Sequence, residues 1–199
     1  MKNKWIRFFL YLLLALVILL LIIMLVLIKK ISSPPLEVSN DISIKFQSNL
    51  DYVKINFSSL KDVKIKFSDT KNFLQEVGSA ESYRLPFVGF RITIDASKFD
   101  NVSDDALRGF FAHELSHLEY YNLISWFHLL IYSIRYSISE NYQIKVERNT
   151  DMHAIEKGFA QELLAYREYR LETANSQDIA FIKKRYLSPE EVKERIKHS

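Results

Sequence analysis

The distribution of apolar and polar positions divides this chain into three regimes. From Phe8 to Ile28 no charged residue interrupts the sequence. About 20 apolar residues suffice to cross a bilayer, and the run ends in Lys29, Lys30 and Ile31 rather than in the small-residue cleavage site of a signal peptide. The pattern predicts an uncleaved membrane anchor over residues 1–30, in contact with lipid through residues 8–28. Ser32, Ser33, Pro34 and Pro35 then read as a short stiff linker (31–36), followed by one domain of ordinary size over residues 37–199.

The second regime alternates with period two. The segments ISIKF (42–46), YVKINF (52–57) and VKIKF (63–67) are separated by polar turns, and GFRITID (89–95) puts Phe90, Ile92 and Ile94 on one side. Such alternation with β-branched content predicts strands with one buried face.

The third regime has a helical period. Ser103 is placed to cap a helix that starts near residue 104, with Asp104 and Asp105 at the positive end of its dipole. Leu107, Phe110, Phe111, Leu115 and Leu118 follow at helical intervals. A second long helical pattern covers residues 140–173, with Gly158 as its weak point. Ser188-Pro189-Glu190-Glu191 spells a capping box with proline at the first helical position. The 16 residues LISWFHLLIYSIRYSI (123–138), with His128 and Arg135 among them, are too few and too polar for a span.

Charge changes the picture little. Five of the 27 basic residues and no acid lie within residues 1–30, so the remainder carries 22 bases against 24 acids, a net charge of −2. The basic excess flanks the apolar run, and nothing points to nucleic acid. Counting lysines and arginines at its two ends tips the orientation weakly toward a cytoplasmic N-terminus, which predicts a single-pass cell-membrane protein with its domain outside the cytoplasm. With no cysteine in the chain, any metal must be held by His, Asp or Glu.

Candidate chemistry sits in the apolar helix. Residues 110–121, FFAHELSHLEYY, embed His113, Glu114 and His117 among hydrocarbon. Burying three polar groups without partners costs several kcal/mol. On a helix, His113 and His117 lie one above the other and can aim two imidazoles at one ion, while Glu114 lies near that face. This is the HExxH arrangement, two zinc ligands and a carboxylate that takes the proton of an attacking water. A catalytic zinc needs a third protein ligand. Glu147 and Asp151, again four apart in VERNTDMHAIEKGF (146–159), are candidates; His153 and His128 are rivals. The metzincin extension is absent, because Tyr120 and Leu123 stand where it needs Gly and His.

With HELSH followed by an ExxxD helix, the chain over roughly residues 84–160 resembles the gluzincin metallopeptidases, closest to small gluzincins and HELxH membrane peptidases. The resemblance implies Zn2+, one per chain, held by His113, His117 and Glu147, with Glu114 as general base. It also implies that Asp151 hydrogen-bonds an imidazole, that of His113. The strand before the active helix looks like the edge strand those enzymes use, which would put Arg91, Ile92, Thr93 and Ile94 against an extended peptide. The implied fold is α+β and zincin-like: an N-terminal antiparallel sheet packed on an active-site helix and a second ligand helix, preceded by one transmembrane helix. No match to the family's oxyanion-stabilising His or Tyr is found.

A shared ion also constrains topology. If 123–138 crossed the bilayer once, His117 and Glu147 would be on opposite sides of it. The segment is therefore expected as an apolar hairpin or interfacial helix beside the site, suited to membrane-proximal peptide or protein substrates. The leading expectation is a membrane-anchored zinc metalloendopeptidase. The competing ones are an inactive zinc-binding membrane scaffold, closed by His153 as fourth ligand, and a zinc hydrolase acting on a non-peptide bond. The helical tail over residues 180–199 is a candidate for lying across the cleft.

Overall fold

The computed structural model describes residues 40–69, 80–85, 89–99 and 101–198, together with Trp5, residues 7–12, Leu14, Ala15 and Ile18. The chain separates into two compact units, Met1–Pro34 and Pro35–Ser199. The expected anchor over 8–28 falls largely outside the described residues. Among those described, no helix is long and apolar enough to cross a membrane. The single-pass placement in the cell membrane, with an extracytoplasmic domain, is accordingly corrected: the structure gives it no support.

The described structure is mostly helical (76% helix) with a small three-stranded sheet, rather than α+β in balance. Helix α1 (Asn40–Lys54) is followed by a 3₁₀ turn (Ser58–Leu60) and three strands: β1 (Ile65–Asp69), β2 (Ala80–Leu85) and β3 (Gly89–Ile94). A second 3₁₀ turn (Ala96–Phe99) leads into α2 (Asp104–Leu123), α3 (Trp126–Ile138), α4 (Glu140–Glu156), α5 (Ala160–Thr173), α6 (Ser176–Arg185) and α7 (Pro189–His198).

The sheet is mixed, not antiparallel. Its order is β1-β3-β2, with β1 parallel and β2 antiparallel to the central β3. Two of the four expected strands are misassigned: 42–46 and most of 52–57 fall in or just after α1. The reason lies in the burial pattern. Phe46, Leu50 and Val53 are buried at helical spacing, whereas Ile44, which alternation would pair with Phe46, is 66% exposed.

Helix α2 is the axis of the unit. Every residue from Ala106 to Glu119 except Arg108 is buried, as expected for a helix surrounded by protein rather than floated on a surface. Its first turn is set by Ser103, whose side chain accepts from the Ala106 N–H at 3.1 Å. Phe110 and Phe111 pack edge-on or tilted against Phe46, Phe99 and Tyr166. Each such side chain, fully buried, contributes about 1.5–3 kcal/mol. At Gly109 the α2 and α5 backbones nearly touch: a Cβ there would stand 1.9 Å from the Glu162 carbonyl oxygen. The other end of α2 is closed by Arg84, whose Nη1 donates to the carbonyls of Tyr121 and Ile124 at 2.6 and 3.2 Å.

Gly158 separates α4 from α5. Its φ of 93° lies in the left-handed region that favours glycine, and this turn sends α5 back along α2. Helix α3 is a single helix, not a hairpin; it buries Leu129 and Tyr132 and exposes Phe127, Leu130, Ile134 and Ile138. The capping box closes α7 as spelled, with Ser188 N–H donating to Glu191 Oε2 (2.8 Å) and Glu191 N–H to Ser188 Oγ (3.2 Å).

Candidate metal centre

Helices α2 and α4 meet where their buried polar residues face one another. His113, Glu114 and His117 of α2 and Glu147 and Asp151 of α4 are each at most 8% exposed. Glu147 Oε2 lies 3.2 Å from His113 Nε2 and 3.4 Å from His117 Nε2. The three ligand atoms lie within 4.8 Å of one another and could hold a metal ion. Two donors bound tetrahedrally at zinc's ordinary bond lengths stand about 3.3 Å apart. The two distances from Glu147 to the imidazoles are close to that value.

The outer atom of each ligand is also engaged. His113 Nδ1 is 2.8 Å from Asp151 Oδ1. His117 Nδ1 is 3.3 Å from Thr150 Oγ1, and that hydroxyl donates to the Val146 carbonyl at 2.9 Å. A hydroxyl that has given away its proton can only accept from the ring, so His117 Nδ1 donates to Thr150, while His113 Nδ1 donates to the Asp151 carboxylate, and Nε2 is the nitrogen each ring turns toward Glu147. Tyr136 donates to the remaining oxygen, Glu147 Oε1. Asp151 is held further by the Arg167 guanidinium on Oδ1 and by the Leu187 N–H on Oδ2 at 3.0 Å.

The electrostatics agree with a site built for positive charge. Burial disfavours charge on His113, yet its hydrogen bonds with Asp151 and Glu147 prevail and its pKa is raised to about 10. Burial likewise works against ionised Glu147, but the two histidines hold its carboxyl well below the usual range. The phenols of Tyr136 and Tyr186 are pushed up, first by burial and then by the Glu147 charge. The buried carboxylates of Glu147 and Asp151 thus make this site favour positive charge.

Glu114 stands apart from this cluster, as its position in the motif demands. Its Oε2 accepts from Ser82 Oγ of β2. Here the expected substrate strand needs correction. Arg91, Ile92, Thr93 and Ile94 belong to β3, which is paired on both sides and cannot add a peptide. The strand at the sheet edge beside Glu114 is β2. Thr93, far from lining a cleft, contacts the Tyr83 hydroxyl.

The rival ligands are occupied elsewhere. His153 Nε2 bonds Glu119 at 2.7 Å, and His128 Nδ1 bonds Ser125 Oγ at 2.8 Å. Neither joins the group of His113, His117 and Glu147. A cavity of about 360 Å³ opens beside His117, where Tyr120, Leu123, Tyr132, Tyr142 and Val146 meet polar residues that include Glu119, Lys145 and His153.

Spacing anticipates the His113 and His117 pair, and the gluzincin resemblance implies Glu147 and Asp151, but neither gives their supports. Thr150 had a signal, since it lies three residues after Glu147 on the same helix. Ser82, Tyr136 and Arg167 had none, because each reaches the site from a separate element. No family model matches the chain, and neither a curated protein nor a solved structure matches it.

Proposed function

We propose that this protein is a zinc-dependent metallopeptidase, with zinc held by His113, His117 and Glu147. The observation that carries the reading is that one oxygen of Glu147 meets both imidazole Nε2 atoms at a zinc-like spacing. When bound, zinc supplies Lewis-acid polarisation of the scissile carbonyl and acidifies water. Glu114 accepts the proton of the attacking water and returns it to the leaving amine. Ser82 steadies that carboxylate through its Oε2, leaving Oε1 to do the transfer. Asp151 and Thr150 keep the proton on Nδ1 of each histidine. The water-excluding surroundings strengthen every one of these interactions.

Two features favour a peptide as substrate. One is the resemblance of HELSH and ERNTD to the gluzincin motifs. The other is β2, a sheet edge beside Glu114 along which an extended chain can lie through its backbone. The aromatic cavity next to His117 suits a large apolar side chain of that peptide. The alternative of an inactive zinc scaffold requires a fourth protein ligand, and His153 is bonded to Glu119 instead.

The test is Glu114→Gln in the full chain, assayed on an unstructured protein such as casein and by metal analysis. Hydrolysis should fall about 10²–10⁴-fold while one zinc per chain is retained. Undiminished cleavage by the variant would remove Glu114 from its role. A wild-type protein that takes up no zinc would remove the centre itself.

A further inference from the structure

Among the described residues Arg167 is the largest fully buried side chain, 1% exposed on α5. Taking a guanidinium out of water costs several kcal/mol, and an apolar side chain of similar size fills such a space at less expense. Its hydrogen bonding does not repay that cost generously. Among the described residues its Nε finds no acceptor. Its one carboxylate partner is Asp151, itself 0% exposed, which it meets through Nη2 on Oδ1.

That oxygen is the one His113 Nδ1 uses. Arg167 Nη2 and His113 Nδ1 stand 3.2 Å apart; both are donors, so they share the Oδ1 acceptor rather than bond each other. The guanidinium is fixed from its faces as well, with its centre 4.2 Å from the Tyr186 ring and 5.2 Å from the Tyr166 ring. Tyr186 also packs edge-on against the His113 ring at 5.6 Å. Arg167, Asp151, Tyr186 and His113 thus form one locked stack in which the only part that reaches the ligand position is His113 Nε2.

We propose that Arg167 is a positioning residue of the metal centre. It fixes the rotamer of Asp151, which fixes the plane of the His113 ring, which in turn aims Nε2 at the ion. This rests on the metal-centre reading above but not on peptide hydrolysis. Without the guanidinium, Asp151 is tied only by Leu187 N–H and by the ring it should orient. The imidazole then loses its reference, and a ligand that must find its orientation on binding gives a weaker site.

The experiment measures zinc affinity by competition with a chromophoric chelator at one fixed pH. It uses the full-length wild type, Arg167→Met, Asp151→Asn and the double variant, and adds the d–d absorption spectrum of each cobalt(II)-loaded protein. Circular dichroism of the metal-free proteins restricts the comparison to folded molecules. Arg167→Met should weaken zinc about 10–100-fold and shift the cobalt spectrum. The double variant should bind no more weakly than Asp151→Asn, because the effect runs through Asp151.

Unchanged affinity and spectrum in Arg167→Met would overturn the proposal, as would a double variant whose losses multiply. Arg167→Met strands a buried carboxylate. If it fails to fold, Asp151→Asn against the double variant decides: equal affinity supports the proposal and a further loss overturns it. A wild type that binds neither metal overturns both this inference and the centre it serves. A wild type that binds zinc no better than Arg167→Met overturns this inference alone.

Discussion

Single side chains at the candidate centre are defined by what lies behind them. His113 and His117 share one face through i, i+4 spacing, which is legible in the sequence; that Glu147 of α4 meets them was implied only by the gluzincin resemblance, and the structure groups the three. What spacing does not convey is the second polar atom of each group. Thr150 Oγ1 accepts from His117 Nδ1 because its own hydroxyl proton is committed to the Val146 carbonyl. Replacement by the isosteric valine in Thr150→Val keeps the packing and leaves that buried N–H without an acceptor, a loss of about 1–3 kcal/mol. Zinc affinity should drop about tenfold or more and the thermal midpoint of the zinc-free protein should fall by about 2–10 °C, readable by chelator competition and calorimetry. Affinity equal to wild type would mean that His117 is oriented by packing alone, for instance by its stacking on Tyr121.

Elements were legible where one period dominates a long stretch. Helix α2 has a cap, an acidic first turn and a continuous apolar run, and its structure begins where Ser103 says it should. The pattern over 140–173 was legible as helical and weak at Gly158, but not as two helices; the left-handed glycine there divides it into α4 and α5. Helix α1 was not. Five residues of ISIKF satisfy period two, but the burial of Phe46, Leu50 and Val53 against α2 outweighs that local signal. Strand β2 went unseen because AESYRL has neither alternation nor a β-branched residue; it is a strand by virtue of pairing with β3. The close crossing of α2 and α5 belongs to this scale. Because a Cβ on residue 109 would overlap the α5 backbone, Gly109→Ala must push the two helices apart. Overpacking of this kind costs about 1–3 kcal/mol, occasionally more, and here it also displaces Arg167 from Asp151. The variant should unfold at lower temperature and bind zinc more weakly. A fully stable Gly109→Ala with wild-type affinity would show that α5 does not need this approach.

At the scale of the whole second unit, the C-terminal region decides whether the centre is an open shelf or an enclosed one. A tail that lies across a cleft as a detachable cover would touch the site with little of its own surface buried. Residues 180–199 behave otherwise. Ile182, Leu187 and Val192 are at most 6% exposed, and α7 packs on α5. Arg148 of α4 ties down both the Tyr186 carbonyl and Glu191, while Leu187 N–H holds Asp151 Oδ2. The segment therefore supports the His113 side of the centre from beneath. Burial of three aliphatic side chains is worth about 1.5–3 kcal/mol each, a sum comparable with the entire stability of an ordinary domain, about 5–15 kcal/mol. Deleting residues 180–199 should thus yield a protein that is insoluble or melts far lower, with zinc binding lost, as followed by circular dichroism and metal analysis. A truncated protein that stays folded and cleaves substrate faster would instead identify the tail as a removable inhibitor, and Leu187 as a bystander to Asp151.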